Sequence, residues 1–236
     1  MSRPLVLSLF PGIGLLDMAF EEEGFCIVRG PDLLWGGDIR RFHPPAGRFD
    51  GVIGGPPCQL FSGLGNLARA RGVVHENLIP EFSRVVAEAH PSWFLMENVP
   101  PAPSPEVEGY CTDRLTLNNR WFGAEQHRAR LFVFGAWWPV TSKFRTGLDF
   151  AALESATWRA AVTASNGGRR AVHANRGTGG KIVTYTPDEA AIYQGLTADF
   201  LAESPFTNRG RLKVIAQGVP LPMGRAIARA VKRAIA

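Results

Sequence analysis

Apolar residues along this chain come in short blocks divided by glycine and proline. The run "RPLVLSLF" is broken by "PGIG". The stretch "LLDMAFEEEG" then places Leu15, Leu16, Met18, Ala19 and Phe20 at helical spacing before Gly24. This spacing predicts a strand, a glycine turn and a helix. "FCIVRG" and "DGVIGG" read as two more short strands. "HENLIPEFSRVVAEAH" carries Leu78, Ile79, Phe82, Val85, Val86 and Ala89 at helical spacing, and "PSWFLMENVP" is a buried strand closed by proline. "RARLFVFGAWW" is a further strand. "MGRAIARAVKRAIA" is an amphipathic helix with Met223, Ile227, Ala230 and Val231 turned inward. Strands alternating with helices imply an α/β fold, a doubly wound, mostly parallel sheet covered on both faces.

Residues 139–182 break this rhythm. They hold "SNGGRR" and "NRGTGGK", rich in glycine and cations, and read as a small inserted region, β-rich or loop-rich. The chain therefore divides into 1–138, 139–182 and a return segment, 183–236. Its 236 residues suit one large domain with at most a small appendage. Charge follows the same division. Residues 1–138 hold 12 Lys/Arg and 15 Asp/Glu, whereas 139–236 hold 14 and 6. A basic second part points to a polyanionic partner. No apolar run approaches the ~18 residues of a membrane span, and the N-terminus reads as a first strand rather than a signal peptide. Three cysteines argue against a disulfide scaffold and for a reducing compartment. No Cys or His pair has zinc-site spacing, so no metal is expected.

Several side chains carry candidate chemistry. The turn between strand one and helix one aims backbone N–H groups and a helix N-terminus at a ligand. Asp17 stands where the pattern G-x-G-x-x-G needs its third glycine, which disfavours a nicotinamide enzyme. Gly14 should need to be small, because a side chain there would enter the ligand's space. Asp32, near the end of strand two, is a candidate ribose acid. Asp38 and Ile39 pair an acceptor for an adenine amino group with an apolar surface. Cys58 lies just beyond the carboxyl end of a strand, where open sheets bind ligands. It is either a small buried hydrophobe or a nucleophile. Cys26 and Cys111 lie in strand-like stretches that read as core or support. Glu97 ends another strand, as a cap, a paired structural acid or a catalytic acid. Alternation along the following strand puts Arg128 and Arg130 on one face. A nucleophile, an acid and two anion holders would make a catalytic site.

"LFPGIG", "GDI", "GGPPCQLFS", "MENVP", "EQHRARLFVFG" and "AQGVPLPMGRAIARAV" occur in the order and spacing of the cytosine-5 DNA methyltransferases. The chain resembles that family nearly end to end, 139–182 excepted. The resemblance implies a Rossmann-like methyltransferase fold that uses S-adenosylmethionine. It implies Phe10, Gly12 and Gly14 as the cofactor turn, Asp32 at the ribose, and Asp38, Ile39, Leu78 and Pro57 as further cofactor contacts. Cys58 corresponds to the nucleophile, Glu97 to the acid, and Arg128 and Arg130 to the paired arginines. Gln59 and Ser62 fall on the loop that closes over DNA. Residues 1–138 would be the catalytic and cofactor-binding domain and 139–182 the target-recognition region, with Arg169, Arg170, Arg176 and Lys181 as DNA contacts. Residues 183–236 would return to complete the catalytic domain, with Gln217 and Val219 at the cofactor. "AQGV" departs from the family's usual Gly-Asn-Ser/Ala-Val, and the recognition region is short. The implied reaction is methyl transfer to carbon 5 of a flipped-out cytosine through a cysteine adduct. The implied partner is double-stranded DNA, for a monomer in the cytoplasm of a bacterial or phage-infected cell. An RNA or tRNA methyltransferase with the same chemistry is the main alternative. A binding-only relative is the other, though such relatives usually lose the cysteine or the glutamate, and both are present here.

Overall fold

Six strands form one sheet among the residues that the computed structural model describes, which are 3–61, 72, 75–137, 141–151, 159–163 and 184–236. They are β1 (Leu5–Leu9), β2 (Cys26–Arg29), β3 (Gly51–Gly54), β4 (Trp93–Asn98), β5 (Cys111–Asn118) and β6 (Ala129–Ala136), in the order β2-β1-β3-β4-β6-β5. The first four run parallel. β6 runs antiparallel to both of its neighbours. Five strands therefore point the same way and β6 alone is reversed, so the sheet is mixed but mostly parallel, as the strand–helix alternation predicts. The cause of the reversal is the short link from β5 to β6, which holds only a 3-10 turn, Asn119–Phe122. A parallel return needs a crossover of a dozen residues or more.

Helices α1 (Leu15–Glu22), α3 (Thr141–Thr146) and α6 (Leu221–Ile235) lie on one face of the sheet. There Phe20, Phe25, Trp93, Phe134, Phe144, Met223, Ile227 and Val231 form one core. Helix α2 (Ile79–Ala89) covers the other face, packing Phe82, Val85 and Val86 on Leu7, Leu9, Val52, Phe94 and Met96. α4 (Pro187–Tyr193) and α5 (Asn208–Gln217) add a smaller core with Leu15 and Ala19 of α1. α6 presses close to α1, since a Cβ on Gly224 would stand 2.8 Å from the Ala19 side chain. Among the described residues no helix is long and apolar enough to cross a membrane.

Two cysteine expectations need correction. Cys26 and Cys111 begin β2 and β5, yet both are exposed rather than buried in core or support. These are the two edge strands of the sheet, so their side chains have a neighbour on one side only.

Candidate active site

The parallel strands and β6 bring three side chains to one end of the sheet. β3 ends at Gly54, and the turn Gly55-Pro56-Pro57-Cys58 continues beyond it. Gly55 is tight against the neighbouring strand, because a Cβ there would stand 3.1 Å from Glu97 Oε2. Asn98 Nδ2 donates to Pro56 O at 3.1 Å, and Phe61 N donates to Cys58 O at 3.0 Å, which fixes the turn from both sides. Cys58 is half-buried, Pro57 likewise, and Gln59 is exposed. β4 and β6 run in opposite directions, so the end of one meets the start of the other. Arg130 Nε lies 2.9 Å from Glu97 Oε1 there, with Glu97 buried and 8% exposed.

Electrostatics tie these groups together. Burial pushes the Cys58 thiol pKa up and the Glu97 charge adds to this, while Arg130 and Arg128 pull it back. Burial also raises the Glu97 carboxyl, against the opposing pull of Arg130 and Arg128. Each charged form is disfavoured by desolvation and favoured by a neighbouring cation. The free site therefore favours a thiol and a carboxylic acid that hold their protons beyond the ordinary range.

Arg128 does something other than hold an anion. It is buried. Its Nη1 donates to Val162 O at 2.8 Å, and its Nη2 to Ala216 O at 2.6 Å and Gly218 O at 3.1 Å. Gln194 Nε2 donates to Ile215 O at 2.8 Å and approaches Gly218 O at 3.4 Å. Together they lock the turn between α5 and α6. Burial, and then Arg130, pull the Arg128 pKa well down. Arg128 and Arg130 thus do different work: one holds the returning chain and the other faces Glu97. Sequence spacing does not reveal the Gln194 contribution, which depends on the α4–α5 packing.

The turn after β1 is strained and open. Phe10, Gly12 and Gly14 have φ of 55°, 56° and 81°. A Cβ on Gly12 would meet nothing within 4 Å, so this turn leaves space above it. A Cβ on Gly14, in contrast, would stand 2.8 Å from Arg29 Nη2, so the space it guards belongs to an arginine rather than to a ligand. Asp32 Oδ2 accepts the Gly12 amide at 2.8 Å and its Oδ1 the Leu34 amide at 2.7 Å. Trp35 Nε1 donates to Gly12 O at 2.7 Å, which sequence reasoning missed because nothing in "DLLWGG" marks it. Asp38 caps the turn Ile39–Arg41 and holds the Arg40 guanidinium, while Ile39 and Leu78 are buried in the α2-side core. Val219 is buried on the α1 side, and Gln217, the last residue of α5, is exposed. Ser62, Arg169, Arg170, Arg176 and Lys181 lie outside the described residues. Among the described residues no three His, Cys, Asp or Glu side chains are grouped to hold a metal.

Residues 36–143, which include the cysteine turn, Glu97 and Arg130, match the family model of the C-5 cytosine-specific DNA methylases. The chain is 30% identical over 202 residues to the type II methyltransferase M.XorII of Xanthomonas oryzae, covering 69% of this chain and 45% of that protein. It is 38% identical over 168 residues to the type II methyltransferase M.AgeI of Thalassovita gelatinovora, covering 55% and 39%. Its fold is similar to that of the methyltransferase EhMeth of Entamoeba histolytica, with a TM-score of 0.63 at 14% identity over 100% of this chain and 98% of that one. The chain spans about half the length of the curated relatives it matches. With the family's motifs in order and its fold around them, the chain belongs to the C-5 cytosine-specific DNA methylases.

Proposed function

We propose that this chain is a DNA cytosine-5 methyltransferase that takes its methyl group from S-adenosylmethionine. The observation that carries the reading is the placement of Cys58 on a fixed turn beside the buried Glu97–Arg130 pair. The open space above Gly12, and the buried flank of Ile39 and Leu78 beside the same strand ends, fit an adenosine-bearing ligand. The excess of Lys/Arg in 139–236 fits duplex DNA. Residues 139–182 would read the target and 183–236 would complete the cofactor site through Gln217 and Val219. Such a protein would act as a monomer in a bacterial or phage-infected cytoplasm.

A cytosine inside a duplex is out of reach, so it must be flipped out, at a cost of a few kcal/mol. Glu97, whose carboxyl burial makes harder to ionise, donates to the ring nitrogen from its protonated form while its partner Arg130 faces the ring carbonyl oxygen. Arg130 Nη2 has no partner among the described residues and is free for this. Cys58 gives its thiol proton to water and, as thiolate, adds to ring carbon 6 and turns carbon 5 into an enamine-like nucleophile. S-adenosylmethionine supplies the methyl, on a sulfonium that departs as a neutral thioether. Water then takes the proton of carbon 5 and the Cys58–carbon 6 bond breaks, returning the thiolate and an aromatic ring. Donors aimed at the charge that develops on the ring are worth ~10²–10³-fold in rate each.

The test is a duplex with 5-fluorocytosine at the target, incubated with the cofactor. Fluorine cannot leave as a proton, so a heat-stable protein–DNA band should form, and Cys58→Ser should abolish it. The same incubation with tRNA separates the RNA alternative. A band that persists in Cys58→Ser would make the cysteine structural and the reading wrong.

A further inference from the structure

Arg29 is the last residue of β2, at the carboxyl end where open sheets receive ligands. Its side chain is turned back over the start of α1. Nε lies 3.0 Å from Asp17 Oδ2, and Asp17, fully buried, takes Ser8 Oγ on its other oxygen at 2.5 Å. The guanidinium is thereby fixed beside the glycine turn, with Nη2 2.8 Å and Cζ 3.2 Å from where a Gly14 Cβ would be. Only Nε is spent on Asp17. Among the described residues neither Nη has a hydrogen-bond partner, and the side chain is 54% exposed.

Resting on the methyltransferase reading, we propose that Arg29 is a cofactor-binding residue whose two free Nη groups receive the α-carboxylate of S-adenosylmethionine. The carboxylate is the one anion of that molecule near neutral pH, and a guanidinium offers it two parallel donors. The two ends of the site agree with this direction. Ile39 and Leu78, the apolar flank for the adenine, belong to the α2-side core. Arg29 lies on the α1 side, held to α1 through Asp17. A ligand laid across the end of β1 with its adenine on the α2 side brings its amino-acid end to Arg29. Asp17, where the dinucleotide pattern needs glycine, is then the residue that positions this arginine. Asp32 cannot do the same work, because its charge is already turned to the Gly12 and Leu34 amides.

The experiment compares S-adenosylmethionine with its decarboxylated form by calorimetry, on wild type, Arg29→Gln and Arg29→Lys. Wild type should prefer the carboxylated ligand by roughly 10- to 100-fold, the worth of a charge-assisted hydrogen bond. Arg29→Gln should lose that preference while binding the decarboxylated ligand as wild type does, and Arg29→Lys should recover part of it. Equal weakening of both ligands would reduce Arg29 to a structural support for Asp17 and overturn the inference, as would an unchanged preference. If Arg29→Gln fails to fold, Arg29→Lys and the wild-type preference still decide: no preference in wild type overturns the assignment. A wild type that binds neither ligand overturns the methyltransferase reading itself.

Discussion

The carboxylate of Asp32 and the amide of Gly12 are joined at 2.8 Å, so the acid that follows β2 holds the glycine turn in place. The same carboxylate caps the turn Leu33–Trp35 through the Leu34 amide. Asp32→Ala would leave both donors without their acceptor, lowering stability by about 1–3 kcal/mol. Asp32→Asn keeps one acceptor but sets its NH2 against the other amide, so it should restore only part of that loss. Thermal unfolding beside calorimetry of cofactor binding checks this. An Asp32→Asn variant of wild-type stability that no longer binds would show that the charge itself touches the ligand.

Gly12 and Gly14 should respond differently to a side chain. Both have positive φ, so alanine costs each about 1–2 kcal/mol. At Gly12 the added carbon meets no protein atom within 4 Å and projects into the open space proposed for the cofactor. Gly12→Val is expected to fold and to lose cofactor binding. At Gly14 the added carbon collides with the Arg29 guanidinium, so Gly14→Ala should weaken binding by moving that arginine. Calorimetry with the decarboxylated cofactor separates the two, since Gly14→Ala should spare that ligand and Gly12→Val should not.

Alkylation of the three cysteines should be ordered. Cys26 and Cys111 are exposed, while burial and Glu97 hold the Cys58 thiol above its usual pKa. Less thiolate at a given pH means slower reaction. Iodoacetamide at pH 7.5 or so should therefore label Cys26 and Cys111 first, as peptide mass spectrometry reads, with Cys58 catching up only as pH rises. Fastest labelling at Cys58 would mean that Arg128 and Arg130 outweigh burial.

Glu97 should link stability to pH. Its folded pKa is raised above the ordinary 4.5, so the folded state binds this proton more tightly than the unfolded chain does. That contribution is fully present below about pH 4.5 and is lost as pH rises through the raised value. Glu97→Gln mimics the protonated acid. It should gain stability relative to wild type as pH goes from 4 to 7, in urea unfolding, while losing turnover. A gain that runs the other way would mean that Arg130 holds Glu97 ionised.

Much of this site is legible in the chain itself. The strands that lead to Cys58 and carry Glu97 are continuous apolar runs, and such runs mark buried parallel strands. The direction of β6 is not legible, because apolar alternation says nothing about which way a strand returns. Nor is the divergence of Arg128 and Arg130, which stand two apart around the start of β6 and follow the alternation that suggests a shared role. Arg128 is drawn instead to carbonyls at Val162, Ala216 and Gly218, up to 90 positions away. Asp32 is legible only in part: an acid after β2 fits a ribose, and only the fold shows that the Gly12 amide is also within its reach.

The pairing of α1 with α6 has a consequence for synthesis. α1 leaves the ribosome early, yet the helix that covers it is made some two hundred residues later. Until then Phe20, Phe25 and Trp93 form a bare apolar face on the nascent chain, of the kind that aggregates or recruits a chaperone. A ribosome that stops before Leu221 releases a chain with Cys58, Glu97 and its glycine turn, but with no lid on half of its core.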